Sequence, residues 1–303
     1  MAAVSIGAVT ARLQQTVAPS QVTEPPPPFL LSEINIYQHA ETLIDWSPSQ
    51  IHGSPFLRDV RLTESQDQLP TVLEHVGQTV TLLFHDFPQV ACDEEVNFET
   101  ESASQGATML QKFRYIVIPQ PLGGAPAFEE YRTDLKGNPF DASGFHSLFI
   151  ITYDFASTCL YLSPADQRDS RFRYFGIQKI RKRECHVVGF AQEPERAHRG
   201  GKFRAQGKSV VMLLQGLAWI DSESFQVLRI KTWLLAPRTD VGLSSLTSTV
   251  DFSPVRPTGS DKALWLPRDV TVEAIDQGIR ARNTHHYSNF KLFRVESTIK
   301  PTG

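Results

Sequence analysis

Cysteine is scarce in this chain, three residues in 303. Cys92, Cys159 and Cys185 stand too far apart for a CxxC metal site or a disulfide framework, so three buried thiols are expected, with one bridge and a leftover thiol as the alternative. Long apolar runs are lacking too: no stretch approaches the roughly 18 residues that a membrane-spanning helix needs. Excess charge of either sign is missing, with 30 Lys+Arg against 33 Asp+Glu. The resulting pI of about 6.3 lacks the basic footprint of a nucleic-acid binder. Catalytic signatures are equally thin. There is no HExxH pair and no Gly-x-Ser-x-Gly elbow, and no cysteine has a local motif of a nucleophile. What remains is an ordinary globular composition, 41% apolar and 21% charged, on a chain long enough to bury a large core.

The charge that is present is unevenly spread. Residues 1–167 carry 7 Lys+Arg against 20 Asp+Glu, residues 168–208 carry 12 against 4, and residues 209–303 carry 11 against 9. Such asymmetry is either a binding surface or acidic and basic segments packed beside each other. At the amino terminus, "AAVSIGAVTA" is small and mildly apolar, with Val9-Thr10-Ala11 resembling a cleavage site, but it has no positive leader region. "EPPPPF" (24–29) reads as an extended linker. The expected organisation is therefore a disordered tail or signal-peptide remnant with its Pro-rich linker over 1–28, then one domain over 29–303.

Helical spacing appears in two places. Ile34, Tyr37, Leu43 and Trp46 lie near a period of three to four, as do Leu73, Val76, Val80, Leu83 and Phe87 of "LPTVLEHVGQTVTLLFHDF" (69–87), where Pro70 suits a first turn and Pro88 a stop. "GFHSLFIITYDFASTCLYL" (144–162) is expected as a third helix because it is longer than a usual strand. From residue 89 onward the period is otherwise two. Eleven strand candidates follow one another with mostly short connectors, which favours antiparallel neighbours. The polar stretch 191–208 is expected to be a long surface loop. In "DVTVEAIDQGIRARN", Val270, Val272 and Ala274 share one face against Thr271 and Glu273, and the alternation resumes after an Asp276-Gln277-Gly278 turn. The fold class expected is α+β: a large curved antiparallel sheet, an incomplete β-barrel of about eleven strands, with helices covering one side.

Several constellations look chemical and reduce to structure. "GGKFRAQGKS" (200–209) nearly spells a phosphate loop, but has one residue too many between Gly201 and Gly207 and runs into a strand where a helix is required. His285 and His286, adjacent on a strand, point to opposite faces and cannot hold one ion. One is expected in solvent and the other half-buried beside Tyr287. Glu94, Glu129 and Asp134 are candidates for a carboxylate-based hydrolase, yet charges on the wet face of a sheet explain them more simply. Asp221-Ser222-Glu223-Ser224 fills the gap between two strands as a turn.

The pieces "GLAWID", "SFQVLRI", "FRYIVIP", "FEEYRTDLKG", "RFRYFGIQKI", "LWLPRDVTVEA" and "RNTHHYSNFKLFRV" resemble a group of uncharacterised exported bacterial proteins. Through hairpins of the form "G…ID…V.RI" and "LWLP" they also resemble periplasmic lipoprotein carriers of the LolA/LolB kind. The resemblance spans roughly residues 70–297. It implies a LolA-like half-barrel with helices over its mouth, an apolar cavity that accepts lipid or lipoprotein acyl chains, a periplasmic or exported setting, and no catalytic set to carry over; no cofactor or metal is expected. Candidates for the cavity wall are Val210, Met212, Leu214, Leu228, Ile230, Val272 and Phe293. The rival expectation is a scaffold with a filled barrel whose basic segment, through Arg181, Lys182 and Arg183, docks an acidic partner; the hydrolase is the third.

Overall fold

The computed structural model describes residues 31–87, 89–101, 106–122, 125–139, 155–205 and 208–292. The strands are β1 (Arg61–Leu62), β2 (Val90–Glu101), β3 (Gly106–Leu122), β4 (Ala125–Thr133), β5 (Ser170–Ile180), β6 (Arg183–Gln192), β7 (Gly201–Ala205), β8 (Lys208–Met212), β9 (Leu214–Asp221), β10 (Val227–Leu234), β11 (Leu243–Val255), β12 (Leu264–Asp276) and β13 (Ile279–Leu292). Eleven of them form one antiparallel sheet in the order β1-β5-β6-β9-β10-β11-β12-β13-β2-β3-β4, while β7 and β8 make a separate ribbon. Most neighbours are consecutive in the chain. The exceptions are β1 with β5, β6 with β9 across the β7–β8 insertion, and β2, which returns to pair with the last strand, β13, so that early and late halves of the chain meet mid-sheet. The sheet stays open, with β1 and β4 at its edges.

Alternation sorts the side chains onto two faces. One face collects Val188, Phe190, Ala218, Ile220, Ile230, Val250, Val270, Val272 and Ala274 into the larger core. Over it lies α3 (Leu69–Asp86), which contributes Val72, Val76 and Val80. Val76 and Val80 follow the predicted spacing; Val72 is buried where Leu73 is only partly so. On the opposite face Val187, Leu217 and Trp219 pack with Leu43, Ile51, Leu57 and Val60. The N-terminal segment, with α1 (Leu31–Tyr37) and α2 (Pro48–Gly53), thus caps a second face. The capping is local, since the same face of β11, β12, β13 and β2 carries Thr249, Thr271, Thr284 and Asn97 in register.

Three expectations change. The helix expected over 144–162 is a 3-10 helix over Ala156–Leu162, and residues 144–154 fall outside the described residues. The loop expected over 191–208 holds β7, paired with β8. "KSVVMLLQGLAWI" is two strands, because Leu213 turns out of the ribbon into a third apolar cluster with Tyr37. There its amide donates to Tyr37 Oη at 3.1 Å and its carbonyl accepts from Leu235 N at 2.8 Å. Glycine is required at Gly176, where φ is +130° and a Cβ would lie 2.0 Å from the Arg61 carbonyl oxygen. That close approach is what lets β1 pair with β5.

Candidate functional site

A strap crosses the larger core between β4 and β5. It consists of Phe155, the 3-10 helix Ala156–Leu162 and α4 (Pro164–Gln167). Its underside is apolar: Phe155, Ala156, Cys159, Leu160, Tyr161 and Leu162 all belong to the larger core, with Tyr161 stacked on Phe190 at 5.5 Å. Its fastenings are polar and lie at its ends. At the first end the Glu130 carboxylate accepts from the amides of Phe155 (2.9 Å), Ala156 (2.8 Å) and Ser157 (3.2 Å). These are the amides that a helix start leaves without intrahelical partners. At the second end Gln167 Nε2 donates to the carbonyls of Leu73 and Leu162, both at 2.8 Å. Asp166 accepts from Arg199 Nε at 2.8 Å, and Arg199 Nη2 donates to the Pro126 carbonyl at 2.6 Å. Gly77 lets α3 come within contact of Pro164 and Gln167, where a Cβ would meet the latter at 3.0 Å.

Beneath the first end sits a buried charged cluster. Arg132 on β4 and Glu94 on β2 form a two-pronged pair, with Nε to Oε2 at 2.5 Å and Nη2 to Oε1 at 2.7 Å. Their side chains are 2% and 0% exposed. Glu94 Oε1 also accepts from Tyr287 Oη (2.8 Å) and meets His285 Nδ1 at 2.9 Å. Tyr115 donates to Glu130 and lies against Tyr287, ring centres 5.0 Å apart, while Phe155 of the strap meets His285 edge-on at 4.8 Å. Burial pushes the Glu94 carboxyl up, but the charge and hydrogen bonds of Arg132, with those of His285, outweigh it and hold the group at about 2. Burial likewise works against the Arg132 charge, and Glu94 more than compensates, keeping the guanidinium firmly protonated. Burial lowers the His285 imidazole, opposed by Glu94, and raises the phenols of Tyr115 and Tyr287.

The sequence places Glu94 where it could have been found: Cys92, Glu94, Val96 and Phe98 alternate onto one face, and the other three are apolar. Its partners, 38 to 193 residues away, carry no such signal. His285 is buried and His286 exposed, so the two do lie on opposite faces, with His285 more deeply enclosed than expected. Glu129 is apart from this cluster, accepting from Gln120 Nε2 at 2.7 Å. Asp134 caps its own turn through the amides of Lys136 and Asn138, both at 2.8 Å. Asp221 binds Arg183 through two hydrogen bonds of 2.6 and 2.7 Å and caps Ser224 N at 2.8 Å, a turn-forming role.

The sequence-predicted wall residues are dispersed. Met212, Leu214, Ile230 and Val272 are buried in the larger core beneath the strap and α3. Leu228 belongs to the opposite face, because the register shifts between Val227 and Arg229. Val210 lies on the β7–β8 ribbon, and Phe293 is outside the described residues. Arg181 and Lys182 form a tight hairpin turn at φ +48° and +69°. Arg181 is tied to Asp251 at 3.2 Å and to Ser253 Oγ at 2.8 Å, and Arg183 to Asp221, which leaves Lys182 as the member of the triplet without such a tie. All three cysteines are buried and unbridged. Among the described residues no cluster of three or more His, Cys, Asp or Glu could hold a metal ion, and no helix is long and apolar enough to cross a membrane.

No protein-family model matches the chain, and no curated protein sequence matches it. Solved structures do resemble it. A DUF1329 family protein from Desulfovibrio piger is 10% identical over 77% of this chain and 96% of that one, with a TM-score of 0.41. A LolA superfamily protein from Nitrosomonas europaea is 13% identical over 75% and 94%, with a TM-score of 0.35. The chain shares with the expectation stated from its sequence an open eleven-stranded antiparallel sheet that does not close into a barrel. Likeness at this level assigns no activity, and function has to be argued from the strap and what lies under it.

Proposed function

We propose that the protein is a non-enzymatic binding protein that houses an apolar ligand, such as an acyl chain, between the strap and the larger core face of the sheet. The observation that carries this reading is how the strap is held: polar fastenings at both ends, with Cys159, Leu160 and Leu162 packed into the larger core between them. Apolar contact is non-directional and scales with area, so a hydrocarbon can stand in for the strap's underside. The hydrogen bonds at the ends have no such substitute and set the threshold for opening. Met212, Leu214, Ile230 and Val272 form the wall such a ligand would meet. The exported, periplasmic setting belongs to the same proposal and is tested by fractionation of the source cell.

The test is uptake of a fluorescent fatty acid or phospholipid from vesicles by the wild-type chain and by Glu130→Gln. Losing a charged acceptor shared by three amides costs about 1.5–3 kcal/mol, so the strap should open roughly 10–100 times more often and uptake should speed up. Absence of uptake in both forms would overturn the reading. It would favour the scaffold alternative, which the close filling of this face by Phe155, Leu160, Tyr161 and Leu162 supports.

A further inference from the structure

The face opposite the strap carries a cleft of about 320 Å³ where the N-terminal cap ends over β10 and β11. Its walls include Trp46, Phe56, Trp233 and Pro237, with Lys231 and Thr247 beside them. Phe56 stacks on Trp233 at 5.8 Å and 29°, yet remains 39% exposed, which is unusual for a large aromatic in a packed contact. Lys231 Nζ lies 4.5 Å from the Phe56 ring centre and donates to Thr249 Oγ1 at 3.4 Å.

The other cations around it are matched. Arg229 pairs with Asp251 at 2.9 Å and Arg238 with Asp240 at 2.8 Å. Lys231 is half-buried, and among the described residues no carboxylate lies within ion-pair distance of it; Glu273, two strands away and out of register, acts on it only at longer range and faces Arg282 at 3.8 Å. A half-buried ammonium is expensive unless its charge finds a partner. This one is set among flat apolar walls that complement a flat apolar body.

We propose that this cleft is a second binding site, for a small organic monoanion with a flat apolar body, an aromatic carboxylate being the type case. The carboxylate would sit at Lys231 and the Thr247 hydroxyl, and the ring against Phe56, Trp233 and Trp46. A volume at the small end of the roughly 300–1,000 Å³ of ligand pockets suits one or two rings and excludes a whole acyl lipid. The site is thus distinct in place and in ligand from the one under the strap.

The test is a titration of the full chain with 2-naphthoate, followed by the tryptophan indole signals in ¹⁵N NMR. Saturable shifts at Trp46 and Trp233, with none at the buried Trp219, are expected. 2-Naphthylmethanol, the neutral counterpart, should bind at least about tenfold more weakly, since the charge-assisted contact is absent. Lys231→Met should weaken naphthoate by a similar factor and Lys231→Arg should largely restore it, while Glu130→Gln should change nothing. No saturation at millimolar naphthoate, equal binding by the Met variant, or shifts at Trp219 in place of Trp46 and Trp233 would overturn the proposal.

Discussion

Replacing Arg132 by Met would strand the Glu94 carboxylate in a place where both side chains are 2% exposed or less. Removing one partner of a buried pair costs about 3–5 kcal/mol. The depressed Glu94 carboxyl points to a cost of the same order. It is held at about 2 against an ordinary 4.5, a difference worth about 3 kcal/mol at roughly 1.4 kcal/mol per pH unit. A depressed carboxylate stabilises the fold above its unfolded value. This stabilisation should therefore be complete above pH 4.5 and be lost as pH falls from there toward 2. For a chain of this size 1 kcal/mol shifts Tm by about 2–4 °C, so Arg132→Met should lower Tm by roughly 6–20 °C at pH 7. The assay is urea unfolding at pH 7 and at pH 3, with Tm alongside. The deficit should shrink at pH 3, where the stranded carboxyl can protonate in the variant. Adding Glu94→Gln should recover at least half of the loss, because the amide oxygen still accepts from Tyr287 and His285 while no lone charge is left. A cost below about 1 kcal/mol, or a double variant no better than Arg132→Met alone, would refute the reasoning.

Gly176→Ala should free the N-terminal segment, since the new methyl meets the Arg61 carbonyl at 2.0 Å; proteolysis within 58–68 should precede global unfolding, and unchanged resistance would contradict the packing described. Asp221→Asn should cost about 1–2 kcal/mol, read as a lower urea midpoint, by loosening two bonds from Arg183 and the caps of Ser224. Its carboxyl is held below the ordinary range chiefly by the Arg183 hydrogen bonds, so that contribution should be present above pH 3.8 and fade as pH falls below it. Glu130→Gln should raise amide exchange across 155–162 more than in β9 or β12, and uniform exchange would mean that the strap is core and does not open separately.

How much of this was legible in the sequence depends on the range of the signal. Local alternation placed Val270, Val272 and Ala274 on one face and the 276–278 turn between β12 and β13, where Gln277 and Gly278 take φ +48° and +80°. It also identified Asp221–Ser224 as a turn. Period alone could not see that residues 43–60 cap the second face, because Leu43, Ile51, Leu57 and Val60 come from short turns and helices that share no one period. It missed the bulge beside Leu228, which carries that side chain to the opposite face from Ile230. The charged cluster was hidden for a different reason. "CDEEV" reads as charges on the wet face of a sheet until the return of β2 onto β13 brings His285 and Tyr287 to Glu94, the latter from 193 residues away. Lys231 likewise reaches the aromatic cleft only through the pairing of β10 with β11 and the folding of Trp46 and Phe56 over them, and no spacing in the chain records that.

The most direct measurement is organic extraction and mass spectrometry of the chain, purified without detergent from its own source. A carrier with a strap over an apolar face should yield a stoichiometric acyl species, and its identity would define the ligand. Clean extracts, repeated after incubation of both the wild type and Glu130→Gln with phospholipid vesicles, would contradict the account and leave the strap as part of a closed core.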